Sequence, residues 1–362
     1  MIRRSVLAIF AVTAIVLGCV VVASPAGAVI DSAVVVPSPN SGSGGNVLQS
    51  VSCMTVSSCI AVGYYNNGSV NQTWALNFDG RSWTKLESPS IGLSDNALQS
   101  VSCVSVSSCV AVGQYYNGSV NQSLVLKWDG TSWTTLDSPN AGSGSNSLNS
   151  VSCVSASSCV AVGQYFDGPL HQSLALSWDG TSWAKLDSPN PGPMFNRLSS
   201  VSCVSSSSCI ATGYYYNGSG NQTLALDWDG TSWTKLDSPN PSTGTNGDLL
   251  SVSCVTVSSC IAVGYDGNES GLPTVALKFD GTSWTKIDSP NPGSQFNILY
   301  SVSCVTVSSC VAVGSYFSGN GTVEQTLVLS LTGPEPPTTT TTPPTTPTTT
   351  SSSDPVAPAF TG

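Results

Sequence analysis

From Asn46 onward, apolar and polar residues alternate in short runs, and no stretch of the repeats has the spacing or the caps of a helix. Residues 96–140 show the pattern in full. Leu98, Ser100 and Ser102 fall on one side of a strand and Gln99, Val101 and Cys103 on the other, the two-residue period of extended chain. A loop from Val104 to Ser108 leads to a second β-rich run, Cys109 to Tyr115, which stops at the hairpin dipeptide Asn117-Gly118. Ser123 to Trp128 forms a third predicted strand, ended by Asp129-Gly130. Ser132 to Leu136 forms a fourth, stopped by Asp137-Ser138-Pro139-Asn140.

The same text recurs along the chain. Cys53/Cys59, Cys103/Cys109, Cys153/Cys159, Cys203/Cys209, Cys254/Cys260 and Cys304/Cys310 follow one another every 50 residues, with one step of 51. A period of this length is the mark of a repeat array or propeller. Units beginning near residues 46, 96, 146, 196, 247 and 297 therefore predict an all-β fold, a six-bladed β-propeller of four-stranded blades over residues 29–333. The sixth unit ends after its third strand, and Ser32–Asn40 lines up without a gap on Ser182–Asn190. The N-terminal strand is expected to complete the last blade and close the ring, removing two free sheet edges.

The unit resembles a kelch repeat. Ile60-Ala61-Val62-Gly63-Tyr64, Asn67-Gly68, Phe78-Asp79-Gly80 and Trp83-Thr84-Lys85-Leu86 stand in kelch order, and Trp133, Trp183, Trp233 and Trp284 take the place of Trp83 in later copies. A single glycine stands where kelch has two, and the cysteine pair is not a kelch feature. The resemblance covers residues 32–331 and implies a propeller. It leaves function open, because kelch-like propellers serve as adaptors, lectins and enzyme scaffolds alike.

The two ends differ from the repeats. Arg3-Arg4, the apolar run Val6–Ala23 and Ala26-Gly27-Ala28 read as a signal peptide over residues 1–28. Cys19 leaves with it, and twelve evenly paired cysteines remain in an exported chain, which predicts six disulfides, each within one unit. Zinc is the alternative ligand, but each unit offers only two cysteines and the chain has one histidine, His171. Closing a loop of about seven residues contributes roughly 2 kcal/mol in the chain-entropy account, enough to matter in so polar a blade. Residues 334–362 form a Thr/Pro/Ser-rich stretch that cannot bury a core and reads as a disordered stalk. Its last residues, Pro358-Ala359-Phe360-Thr361-Gly362, are similar to the sorting pentapeptides of Gram-positive surface proteins, with Pro358 where Leu is expected. The expected location is outside the cell, either free or attached to the cell wall through the stalk.

Charge narrows the function further. The net charge is −10, and six lysines over the whole chain cannot line a nucleic-acid groove. The mature chain is expected to lack a membrane span, to be monomeric, and to carry no cofactor and no metal. Asp79, Asp129, Asp179, Asp229 and Asp280, with Glu87, Asp137, Asp187, Asp237 and Asp288, invite a calcium or catalytic reading, yet Asp-Gly and Asp-Ser-Pro are turn dipeptides first. No catalytic set is predicted. His171 takes the position of Asn71, Asn121 and Asn221 and reads as a surface substitution. The unusual residues His171, Met194, Arg197 and Glu269 are spread over three copies, where an enzyme should concentrate them.

Aromatic residues are the better candidates. Tyr64 and Tyr65, Tyr115 and Tyr116, Tyr165 and Phe166, Tyr215 and Tyr216 (after Tyr214), and Tyr316 and Phe317 all fall between the second strand and its turn. That turn should share a rim with the variable connections between blades. The expected function is a secreted or surface-displayed, non-catalytic binding or adhesion module for an extracellular glycan or protein. The alternatives are a glycan-active enzyme on the same scaffold, and a purely structural surface repeat.

Overall fold

The computed structural model describes residues 36–92, 94–240, 246–267, 271–293, 296–318 and 323–333. The chain divides into two compact units, Met1–Pro37 and Ser38–Gly362. Of the first unit only Val36 and Pro37 are described, and neither lies in a strand. The signal segment, residues 32–35 of the expected closing strand, and the stalk lie outside the described residues.

Within the second unit, the first repeat folds as β1 (Asn46–Thr55), β2 (Ser58–Asn66), β3 (Asn71–Phe78) and β4 (Trp83–Leu86), paired antiparallel in that order. Repeats 2 to 5 reproduce the four strands, and repeats 4 and 5 are linked by one parallel bridge, Asn221 to Asn246. The sixth repeat shows three strands among the described residues, the third being Val323–Thr332. The units thus build an all-β array of repeated four-stranded sheets.

All six disulfides form inside their own repeats, across the hairpin of the first two strands: Cys53–Cys59, Cys103–Cys109, Cys153–Cys159, Cys203–Cys209, Cys254–Cys260 and Cys304–Cys310. They are more than the hairpin staples that the spacing suggested. The second cysteine of each pair is buried: Cys59, Cys109, Cys159, Cys209, Cys260 and Cys310 are all at most 6% exposed. Cys109, Cys159, Cys209, Cys260 and Cys310 belong to the apolar cores between neighbouring repeats. Their first-strand partners Cys103, Cys153, Cys203, Cys254 and Cys304 are partly buried against the same cores, whereas Cys53 is exposed at the open end of repeat 1. Sequence spacing shows the bond, but only the packing shows that its sulfurs also fill the core.

Two local features differ from the simple alternation. Pairing in repeat 2 runs Leu98 to Gly113 and then Ser100 to Val112, so Gln99 is an extra residue in a β-bulge. The bulge turns Leu98 and Val101 to the same side, and both lie in one core. It also presses the first strand against the second. A Cβ at Gly113 would collide with the Ala97 carbonyl, and its counterpart in every repeat meets the same obstacle, which explains the glycine. The loop read as five residues is shorter: the first strand continues to Ser105 and the second starts at Ser108, leaving a turn at Val106-Ser107.

Successive sheets pack face to face. Ile60, Val62 and Ala75 of repeat 1 meet Leu98, Val101, Cys109, Ala111, Leu124, Leu126, Trp128 and Trp133 of repeat 2, and four later junctions repeat the arrangement. Each fully buried Val or Leu contributes about 1.5–3 kcal/mol. The serines of the Ser-Val-Ser-Cys motif supply a second link. Ser50 Oγ and Ser52 Oγ accept the backbone N–H groups of Val101 and Cys103, at 3.2 and 3.0 Å. The same pair of bonds recurs at the other four junctions.

Among the described residues, these faces are exposed in the two terminal repeats. Leu48 and Val51 are 43% and 58% exposed, where their counterparts Leu98 and Val101 are 0% and 5%. At the other end, Val311, Val313 and Val328 are also exposed, although they match the buried Val110, Val112 and Val125.

Candidate functional site

The recurring acids are occupied by their own turns. Asp129 Oδ1 accepts from Thr131 N and Thr131 Oγ1 at 2.8 and 2.7 Å, and from Ser132 N at 2.8 Å. The Thr131 hydroxyl, then the backbone N–H groups of Ser132 and Thr131, hold this exposed carboxylate well below its usual range. Asp179, Asp229 and Asp280 sit in the same ring of donors. Glu87 and Asp237 pair loosely with Lys85 and Lys235 at the surface. Among the described residues no three His, Cys, Asp or Glu side chains gather as a metal site.

The aromatic candidates divide by position after the glycine. Tyr65, Tyr115, Tyr165, Tyr215 and Tyr316 stand two residues after it and turn into the packed faces. Tyr65 meets Trp74 edge-on at 5.2 Å, and Tyr115, Tyr165, Tyr215 and Tyr316 line the junction cores. Lys185 and Lys235 lie over the rings of Tyr165 and Tyr215. Tyr64 pairs with Val47 on the opposite face. Tyr116, Phe166, Tyr216 and Phe317 stand three residues after the glycine, at the end of the strand. There Tyr116 N donates to Asp95 O and Tyr216 N to Phe195 O, so turn and connection do share one rim.

On that rim repeats 3 and 4 form a continuous aromatic strip. Phe166 lies 3.8 Å from the ring centre of His171, His171 lies 4.6 Å from Phe195, and Phe195 lies 6.0 Å from Tyr216. His171 N donates to Met194 O at 2.8 Å, which ties the third strand of repeat 3 to the next connection. Asn196, fully buried, accepts from Gly192 N and holds that connection in place. His171 is therefore half-buried between two rings rather than a plain surface residue, and burial lowers its pKa. Leu170 and Met194 are exposed beside it. Residues that looked scattered in the chain meet here, while Glu269 lies outside the described residues.

A polar cluster continues the strip. Arg197 follows Phe195 by two residues and so shares its side of the strand, and it pairs with Tyr214 across the hairpin. The matching position in repeat 5 is Asp248, paired with Tyr265. Asp248 is 3% exposed, and burial raises its carboxyl from 3.8 to about 7, with the Arg197 charge and then the Ser199 hydroxyl acting the other way. Burial also pushes Tyr265 up to about 12, helped by the Asp248 charge. Arg197 Nε, Ser199 Oγ, Thr212 Oγ1 and Asp248 Oδ1 are buried and find no hydrogen-bond partner. Asp248 carried no signal as a single residue. Its trace in the sequence is a register comparison: Val47, Ala97, Ser147, Arg197, Asp248 and Ile298 occupy one position, which turns charged only in repeats 4 and 5.

No family model matches the chain, so the resemblance to kelch repeats rests on motif order alone. No curated protein matches it either. Solved structures do. YCF48 bound to a D1 peptide is 14% identical over 83% of this chain and 84% of its own, with a TM-score of 0.49. A protein of unknown function from Dyadobacter fermentans is 13% identical over 74% of this chain and 89% of its own, with a TM-score of 0.50. A sialidase named Hadza microbial sialidase Hz136 is 11% identical over 73% of this chain and 62% of its own, with a TM-score of 0.49. Identities this low say nothing of activity. The repeated four-stranded sheets fit a β-propeller.

Proposed function

We propose that the repeats form the head of an exported, non-catalytic binding module that takes an extracellular glycan or polypeptide across the rim of repeats 3 to 5. One observation supports this most: His171, Arg197 and Asp248, the side chains that depart from the repeat, fall along one run of aromatic residues. Phe166, His171, Phe195 and Tyr216 make an aromatic strip, and Arg197 and Asp248 follow it. Aromatic faces with amides and a few buried polar groups suit recognition of an uncharged surface. Six disulfides suit an oxidising, extracellular setting. Glycan and peptide arrays probed with the mature chain test the reading. Saturable binding lost in Phe195→Ala and Tyr216→Ala is expected, and binding unchanged in both variants would refute it.

Asp248 also favours a second reading, a glycan-active enzyme, because a buried carboxyl that keeps its proton to about pH 7 suits a general acid. The usual partner carboxylate is not on its side of the hairpin: Asp266 pairs with Gly247, one position along, and points to the opposite face. Turnover of a bound glycan would establish the enzyme. We further infer that the six repeats close as a ring. The exposed valines of repeat 6 and Leu48 and Val51 of repeat 1 are the two halves of the junction seen five times elsewhere. On sequence register alone, Ser32–Asn40, aligned with Ser182–Asn190, would be the fourth strand of the last sheet.

A further inference from the structure

We propose that Arg197 and Asp248 form a recognition site for the vicinal diol of a neutral hexopyranose, at the polar end of the aromatic strip. This inference rests on the binding-module reading and names its ligand class. Buried donors and acceptors in native proteins are almost always paired, because an orphan forfeits its bonds to water. Two such orphans stand together here: Arg197 Nε and Asp248 Oδ1 are both buried without a hydrogen-bond partner, in groups close enough for the Arg197 charge to act on the carboxyl. The fold does not need them. Other repeats place Val47, Ala97, Ser147 or Ile298 where Arg197 and Asp248 stand. Nor do the two charges satisfy each other, since the ion pairs among the described residues are Lys85–Glu87 and Lys235–Asp237.

The chemistry of the gap selects the ligand. A guanidinium N–H offers a donor and a carboxylate oxygen an acceptor, with no direct bond between them. One hydroxyl of a diol accepts from Arg197 Nε–H while its neighbour donates to Asp248 Oδ1. An anion is opposed by Asp248 and a cation by Arg197, so a neutral polyol is preferred. Tyr214 and Tyr265, half-buried beside the pair, offer rings to the apolar face of a sugar. Arg197, Ser199, Tyr214 and Tyr265 all keep some surface, so the cluster can be reached from solvent. The charged and titratable groups facing Asp248 are Arg197, Tyr214 and Tyr265, and of the cluster only the carboxyl changes charge near neutrality.

The test is calorimetric titration of the mature chain with glucose, galactose and mannose and their monodeoxy derivatives, at pH 6 and pH 8. At least one hexose should bind saturably, and removal of either hydroxyl of one vicinal pair should weaken it at least tenfold. Asp248→Asn and Arg197→Lys should each weaken it about ten- to a hundredfold, the range for a hydrogen bond to a charged group. Affinity should rise from pH 6 to pH 8 in the wild type and in His171→Phe, and stay flat in Asp248→Asn. Formation of all six disulfides checks that each variant folds. Sugar binding that needs Phe195 and Tyr216 but ignores both substitutions would leave the module reading standing and overturn the diol site. A polypeptide ligand, or no response to any hexose, would overturn it as well.

Discussion

Asp248 shows how one residue can work against the fold that holds it. Its carboxyl keeps a proton to about pH 7 in the folded chain, while an ordinary carboxyl loses it near 3.8. Between those values the unfolded chain releases a proton that the folded chain retains, so stability falls as pH rises and is level outside the window. The difference is roughly 4 kcal/mol. Asp248→Asn should flatten the dependence of melting temperature on pH between about 4 and 7 and raise it at pH 8. A variant that keeps the wild-type slope would show that another group sets it. Gly163 is held by backbone sterics: a Cβ there collides with the Ser147 carbonyl. Gly163→Ala should cost about 1–3 kcal/mol, as overpacking does, measured by denaturant unfolding.

At the scale of elements, the hairpin of the first two strands carries most of the design. A bulge, a disulfide and two serines sit within it, and each has a distinct task. The bulge aims Leu98 and Val101 at one neighbour, the disulfide places Cys109 in the same core, and the serines bond to the next sheet. Ser102→Ala leaves Cys153 N without its acceptor at 3.0 Å and should cost about 1–3 kcal/mol. Ser107, exposed in the adjacent turn, is the control: Ser107→Ala should stay within about 0.5 kcal/mol in the same unfolding assay.

For the whole molecule the deciding feature is the pair of end faces. Terminal repeats of a linear array carry polar outer faces, yet Val311, Val313 and Val328 remain apolar and exposed. If the ring closes, Ser303 takes the place that Ser102 has inside the array and bonds to Cys53 N. Ser303→Ala should then lower stability as much as Ser102→Ala, and deletion of Ser32–Asn40 should lower the melting temperature sharply. Thermal silence of both changes would count against closure.

The repeat length, the four strands per unit, the turns and the cysteine pairing were all readable in the chain, because each depends on neighbours a few residues apart. Asp129-Gly130 makes its turn with its own donors, and Cys103 finds Cys109 across a two-residue turn. The burial of Cys109, Cys159, Cys209, Cys260 and Cys310 was not readable, because the atoms that cover them belong partly to the preceding repeat. The bulge was missed because strict alternation placed Leu98 and Val101 on opposite sides, and only packing against the preceding sheet shows that both must face it. The candidate site was hidden for the same reason. His171 and Phe195, or Arg197 and Asp248, come together only when separate repeats are set side by side. Local chemistry therefore decided the blade, and the angle and register between blades decided which of its exceptions meet.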